Sequence, residues 1–311
     1  MRGEEVMEAA GSIGRAVRVP KTIVFGASGF LGRNYLTEHR KIHRDAIGTV
    51  RGSGDAFFDL ARPDIRPLRL AGRGFENALI AAAVTDVRKC EEQRDQARRI
   101  NVEGTLELVR QLADMGIKPI FLSSDYVFDG KAGRYADLDP TNPITEYGRH
   151  KAEVEACLPG ICGDRYLVLR LSKVTGVEPG DKTLIDQIAS ALLAGRAISA
   201  ARDQVYCPTF VGDIVRVAAG LQSLDASGIF NVAAPEALSR LQISRRIGEA
   251  MGVDPALIKD FSINEMGESF TRPKRTDMVC HRVAACGDFS FHTLDQCIAM
   301  YLTHQQEREA G

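Results

Sequence analysis

The 311-residue chain has almost no net charge, with 40 Lys+Arg against 41 Asp+Glu leaving −1 at pH 7. A global basic field that would draw in nucleic acid is therefore absent, and any anionic ligand must be met locally. The cysteines at 90, 157, 162, 207, 280, 286 and 297 are odd in number, scattered and without a C-x-x-C pair, which argues for reduced thiols rather than a disulfide framework or a zinc site. Cys280 and His281 are adjacent, but no further ligands stand at metal spacing, so no metal is expected. Residues 1 to 20 contain Glu4, Glu5 and Glu8 and lack an apolar run of signal-peptide length; they read as a loose tail on a cytoplasmic protein. No stretch approaches the roughly 18 uncharged apolar residues of a membrane span. Internal repeats and low-complexity linkers are also missing, which excludes a clean two-bead architecture.

What the chain does have is alternation. The run Thr22-Ile23-Val24-Phe25 reads as a short buried strand, followed by a glycine turn and a helical stretch from Leu31 to about Arg40. Further strands are expected at 46–50, 78–82, 119–122, 166–171 and 229–232, with helical patterns between most of them, notably from Arg94 to Met115. This order predicts an α/β fold, a Rossmann-type doubly wound parallel sheet over residues 21–172. Beyond 172 the pattern is less regular, with helices near 184–193, 212–221 and 240–251 around a loop at 207–209. Residues 173–311 are therefore expected to form mainly a smaller substrate-binding lobe, interleaved with the last sheet strands.

The turn Gly26-Ala-Ser28-Gly29-Phe30-Leu31-Gly32 differs in spacing from the G-x-G-x-x-G fingerprint but meets the same physical need. Small residues let the backbone approach a pyrophosphate, and the helix that follows aims its free N–H groups at the anion. Strand before and helix after supply the confirming context. A nicotinamide cofactor also needs its ribose read at the end of the second strand. That strand ends Thr49-Val50-Arg51, with no acid until Asp55, which favours NADP(H) over NAD(H), with Arg51 clamping the 2′-phosphate and Arg33 as a second contact. Asp59-Leu60 could lie against the adenine.

Tyr147 and Lys151 are four apart, hence neighbours on one face of a helix starting just after Pro143. A phenol titrates near 10 and a nearby ammonium favours the phenolate, so the pair is a way to build a proton donor working closer to neutral pH. His150 points about 100° away from Lys151 on that helix and reads as a solvated side chain. Upstream, the segment "SSDYVFDG" (123–130) follows the apolar run Ile120-Phe121-Leu122 and places two hydroxyls, two carboxylates and a phenol at a strand's carboxyl end.

Together the glycine turn, Ser123-Ser124 and Tyr147/Lys151 resemble an extended short-chain dehydrogenase/reductase. Residues 123–130, Asn142-Pro143, Tyr147-Gly148, Lys151 and Asn101 to Thr105 resemble most closely its dTDP-4-dehydrorhamnose reductase branch. Arg170-Leu-Ser172, Cys207-Pro208-Thr209-Phe210, Asn231-Val232 and Arg272-Pro273 are similar to that branch's substrate-side segments more loosely. The resemblance implies that Tyr147 is the acid/base, that Lys151 holds the nicotinamide ribose and lowers the tyrosine pKa, and that Ser124, with Ser123 as the adjacent alternative, holds the substrate carbonyl. It also implies that Ala82 and Ala83 lie beside the cofactor and that Asn101 bonds across the sheet.

Related sugar-nucleotide 4,6-dehydratases carry Thr-Asp-Glu where this chain has Ser124-Asp125-Tyr126. Elimination of water needs that Glu, whereas carbonyl reduction needs only hydride, a proton donor and a carbonyl anchor. The expected activity is therefore NADPH-dependent reduction of a nucleotide-linked 4-keto-6-deoxy sugar. An NAD-dependent epimerase stays open, as does a non-catalytic NADP-binding subunit, because the branch resembles the regulatory subunit of methionine adenosyltransferase. Asp125 either touches substrate or fixes its loop through backbone N–H groups. Tyr126 lines the sugar pocket or packs, Pro208 lies on the substrate side, and Arg272, with Lys274 and Arg275, either meets a diphosphate or stays solvated. A homodimer is compatible with the sequence.

Overall fold

The structure is a computed structural model that describes residues 18–52, 56–267 and 271–310. The segment expected to be a tail lies mostly outside these residues, as does Asp55. A seven-stranded, all-parallel sheet forms the centre, from β1 (Thr22–Phe25), β2 (Gly48–Val50), β3 (Ala56–Phe57), β4 (Asn77–Ile80), β5 (Lys118–Ser124), β6 (Leu167–Leu171) and β11 (Gly228–Val232). Its order is β11-β6-β5-β4-β1-β2-β3, doubly wound from β1. Every residue of β1, β4, β5 and β6 is buried, which is why each carries a continuous apolar run, 23–25, 78–80, 120–122 and 167–169, rather than an alternating pattern. One face packs Phe25, Ile80 and Phe121 against Leu108, Leu112 and Leu158. The other packs Val24, Leu79 and Ile120 against Tyr35, Leu36 and Leu221.

Between the strands run α1 (Phe30–Ile42), α2 (Val87–Glu92), α3 (Arg94–Arg98), α4 (Thr105–Asp114) and α5 (Glu146–Cys162). The single helix expected over 94–115 is interrupted by a π-helical turn at Arg99–Gly104. Two contacts account for it. Buried Asn101 accepts from the Val84 N–H (2.7 Å) and donates to the Val84 carbonyl (2.9 Å), and Gly104 lies so close to the Leu60 carbonyl that a Cβ would overlap it. Asn101 thus ties the helix to the loop after β4 and serves as a structural tie.

The chain after β6 forms three two-stranded sheets: β7 (Val174–Thr175) with β10 (Thr209–Phe210), β9 (Val205–Tyr206) with β12 (Leu238–Ser239), and β8 (Ile198–Ala201) with β13 (Ile258–Phe261). These strands are two to four residues long, too short to announce themselves by periodicity. Around them pack α6 (Leu184–Leu193), α8 (Arg240–Ala250) and α10 (Leu294–Ala310) in their own apolar cluster. Two more helices, α7 (Val211–Ser223) and α9 (His281–Cys286), lie against the central sheet, to which the C-terminal half returns β11 at one edge.

Candidate active site

Two turns at the carboxyl ends of β1 and β4 meet. Gly26 has φ +90°, and a Cβ there would stand 2.6 Å from the Ala82 nitrogen, so the glycine turn rests directly on the strand-4 exit. Gly32 presses equally closely on the Gly26 carbonyl. Ser28 and Gly29 are exposed, Phe30 and Leu31 half-buried, and Gly29 stands at the N-cap of α1 with no side-chain cap. The first-turn N–H groups of α1 are therefore left to a ligand or water, at a turn where Ser28 and Gly29 are exposed. Arg51 is exposed just past β2 and Arg33 is exposed on α1. Asp59 caps its own loop by accepting from the Ala61 N–H (3.1 Å), while Leu60 is buried.

The "SSDYVFDG" segment straddles the end of β5: Ser123 and Ser124 close the strand, and Asp125–Val127 turns away as a 3-10 helix. Successive strand residues face opposite sides, and the two serines separate accordingly. Ser123 donates to the Glu155 carboxylate, itself paired with Arg170 at 2.7 Å in a site where both side chains are only 3% exposed. That hydroxyl is consumed by the core. Ser124 is buried and donates instead to Asp125 Oδ1 at 2.9 Å, with its hydroxyl near enough to the Tyr147 phenol to favour the phenolate.

Tyr147 and Lys151 lie on the first turns of α5. The helix starts at Glu146, later than just after Pro143, because Thr145 caps it by accepting from the Gly148 N–H at 3.1 Å. Gly148 lets this turn close on the 3-10 helix, since a Cβ there would overlap the Tyr126 carbonyl. The Tyr126 and Tyr147 rings then meet edge-on at 6.0 Å. Lys151 is buried, donates to the Leu122 carbonyl at 2.7 Å and sits 5.7 Å from the Tyr147 ring centre. Burial lowers its pKa to about 8, against the opposing pull of Glu155.

Two expectations need correction here. The Tyr147 pKa is raised, not lowered: burial is the main cause, followed by the Asp125 and Cys90 charges, with the Ser124 hydroxyl pulling the other way. His150 is buried rather than solvated, with its Nδ1 3.4 Å from the Asn101 side chain, because α5 is covered on that side by the π-helical turn.

Asp125 does not fix its loop through backbone N–H groups. Among the described residues, the partners of its buried carboxylate are three hydroxyls, Thr276 (2.6 Å), Ser124 (2.9 Å) and Ser172 (3.4 Å). Burial pushes its pKa up to about 6, with the hydroxyls and the Lys173 charge pulling the other way. Beside it lies Lys173, on which Arg240 and Arg272 act in turn, and buried Tyr206 lies close to Arg240 and Tyr126. A cavity of about 890 Å³ opens alongside, lined by Arg94, Lys131, Arg149, Arg272 and Lys274 among others; Ser124, Tyr147 and Lys151 are not in its wall. Pro208 is buried beside this region.

Lys173, Arg240, Tyr206 and Thr276 escaped the sequence reading. Lys173 directly follows the Arg170-Leu-Ser172 segment, which was a signal. Thr276 reaches Asp125 across 151 residues, and nothing local could have announced it.

The chain matches the family model described as RmlD substrate binding domain over residues 20–307. It is 31% identical over 264 residues to the probable low-salt glycan biosynthesis reductase Agl14 of Haloferax volcanii, covering 81% of this chain and 87% of that protein. To methionine adenosyltransferase 2 subunit beta of Danio rerio it is 26% identical over 280 residues, 86% of this chain and 85% of the other. In fold it is similar to the crystal structure of dTDP-4-dehydrorhamnose reductase from Bacillus anthracis in complex with NADP, with a TM-score of 0.81 and 21% identity, covering 92% of this chain and 99% of that one. With the sheet order, the glycine turn, and Ser124, Tyr147 and Lys151 at one strand end all in place, the chain belongs to the RmlD substrate binding domain family, on an extended short-chain dehydrogenase/reductase fold.

Proposed function

We propose that the protein is an NADPH-dependent reductase of a nucleotide-linked 4-keto-6-deoxy sugar, with dTDP as the nucleotide. The observation that carries the reading is the gathering of Ser124, Tyr147 and buried Lys151, its Nζ 5.7 Å from the Tyr147 ring centre, at the carboxyl end of the same sheet that carries an uncapped glycine turn. When bound, the dinucleotide supplies hydride to the carbonyl carbon. Gly26, Gly29, Gly32 and the first turn of α1 would hold its pyrophosphate, Ala82 and Ala83 would leave room beside it, and Arg51 would meet the 2′-phosphate.

The rest is the work of this chain's own residues. Tyr147, kept protonated by burial, gives its proton to the carbonyl oxygen as negative charge grows there. This direction suits a raised pKa, since reduction begins from the phenol. Lys151, an ammonium below about pH 8, stabilises the phenolate left behind and is fixed in place by the Leu122 carbonyl. Ser124 orients the carbonyl oxygen, and Lys173, Arg240 and Arg272 supply the positive charge that a diphosphate requires. Tyr126, edge-on to Tyr147, would line the sugar side.

The likeness to a methionine adenosyltransferase subunit favours, as a second reading, a chain that binds the cofactor without turning over. One assay separates the two: purified protein with NADPH or NADH and a panel of nucleotide-linked 4-keto sugars, followed by nicotinamide absorbance. The reductase reading predicts cofactor oxidation with at least one sugar and a preference for NADPH. Cofactor binding without oxidation on any sugar contradicts it.

A further inference from the structure

The hydrogen-bond partners of Ser124 leave its hydroxyl no hydrogen for a substrate. Its Oγ donates to Asp125 Oδ1 (2.9 Å) and accepts from the Tyr126 N–H (3.2 Å). The other carboxylate oxygen, Oδ2, takes the hydroxyls of Thr276 (2.6 Å) and Ser172 (3.4 Å), and the Ser172 oxygen accepts in turn from the Cys207 N–H at 2.9 Å. The two oxygens therefore differ. Oδ2 accepts from two hydroxyls and Oδ1 from one, so the proton is favoured on Oδ1, the oxygen that faces Ser124.

We propose that Asp125 is a positioning residue that sets the direction of the Ser124 hydroxyl hydrogen, and with it whether Ser124 can donate to the substrate carbonyl. With the carboxylate ionised, the Ser124 hydrogen is held on Oδ1. One proton taken from solvent onto Oδ1 reverses that bond: the carboxyl then donates to Ser124 Oγ, and the serine hydrogen is released toward the carbonyl. Asp125 neither touches the substrate nor gives up its proton in the reaction. The inference rests on the reductase reading for its activity readout.

The charged and titratable groups around Asp125 come from every side of the site: Lys173 after β6, Tyr147 on α5, Tyr206 on β9, Cys207 beyond it and Tyr126 on its own turn, with Arg240 and Arg272 acting through Lys173. Burial holds the Asp125 pKa near 6, so the switch falls in an accessible range.

The test measures kcat from about pH 5.5 to 8.5 at saturating cofactor and sugar for wild type, Asp125→Asn and Thr276→Val. In the Asn variant the carbonyl takes the Oδ2 position that receives two donors and the amide faces Ser124, which frees the serine hydrogen at every pH. Wild-type kcat should fall as pH rises through about 6. Asp125→Asn should be flat and exceed wild type by about tenfold or more at pH 7.5, where an acid with that midpoint is only a few per cent protonated. Thr276→Val removes a bond that favours the ionised form, so its midpoint should move upward. An Asn variant that follows the wild-type profile, or one that folds but loses turnover at every pH, overturns the proposal. If no sugar is reduced, the reductase reading fails and the carboxyl is followed by infrared spectroscopy instead. A protonated-carboxyl band with a midpoint near 6, missing in Asp125→Asn and shifted upward in Thr276→Val, supports the switch. A carboxylate ionised throughout overturns it.

Discussion

Two buried residues titrate in the same pH range with opposite consequences for stability. His39 accepts the Thr22 N–H on Nε2 at 2.9 Å, and burial, reinforced by His43, pushes its pKa down to about 4. Between about 6.5 and 4 the unfolded chain binds the proton that folded His39 refuses, so this residue's contribution is lost on acidification. Asp125, raised to about 6, does the reverse: its contribution is present in acid and is lost as pH rises from about 4 through 6. Each is on the order of 3 kcal/mol at full extent, so in wild type the two largely cancel. Urea unfolding of single variants should uncover them. Relative to wild type, Asp125→Asn should gain stability as pH rises from 4 to 6.5, and His39→Gln should lose it. Parallel curves for the two variants would contradict these shifts.

At the scale of elements, α5 carries the chemistry, and its glycines show how its place is fixed. A Cβ at Gly148 would overlap the Tyr126 carbonyl, whereas nothing stands within 4 Å of one at Gly160. Replacing a helical glycine by alanine gains up to about 1 kcal/mol where space allows, and overpacking costs about 1–3 kcal/mol. Gly160→Ala should therefore raise the melting temperature. Gly148→Ala should lower it and reduce turnover, by pushing Tyr147 away from Ser124. Equal effects of the two substitutions on melting and rate would show that the contact with Tyr126 does not position the helix.

Across the whole molecule, legibility follows the range of the interactions. The parallel sheet was readable because strands buried on both faces must be apolar, and the glycine turn because its constraint is local. Helix spacing brought out Tyr147 and Lys151. The π-helical turn was not readable, since Asn101 answers to Val84 and Gly104 to Leu60, far along the chain. The direction of the Tyr147 shift was misread for a related reason: the spacing to Lys151 is local, while the burial that overrides it is a property of the assembled fold. Separating Ser123 from Ser124 needed Glu155 and Arg170, and the setting of Asp125 needed Thr276 from the far end of the chain.

The most direct test of the account is the rate of NADPH oxidation on a nucleotide-linked 4-keto-6-deoxy sugar by wild type and by Tyr147→Phe, with cofactor affinity measured in parallel. Loss of a positioned proton donor costs about 10²–10⁴-fold. The account predicts a fall of that size in kcat with NADPH affinity unchanged. Equal turnover by the two proteins would contradict it.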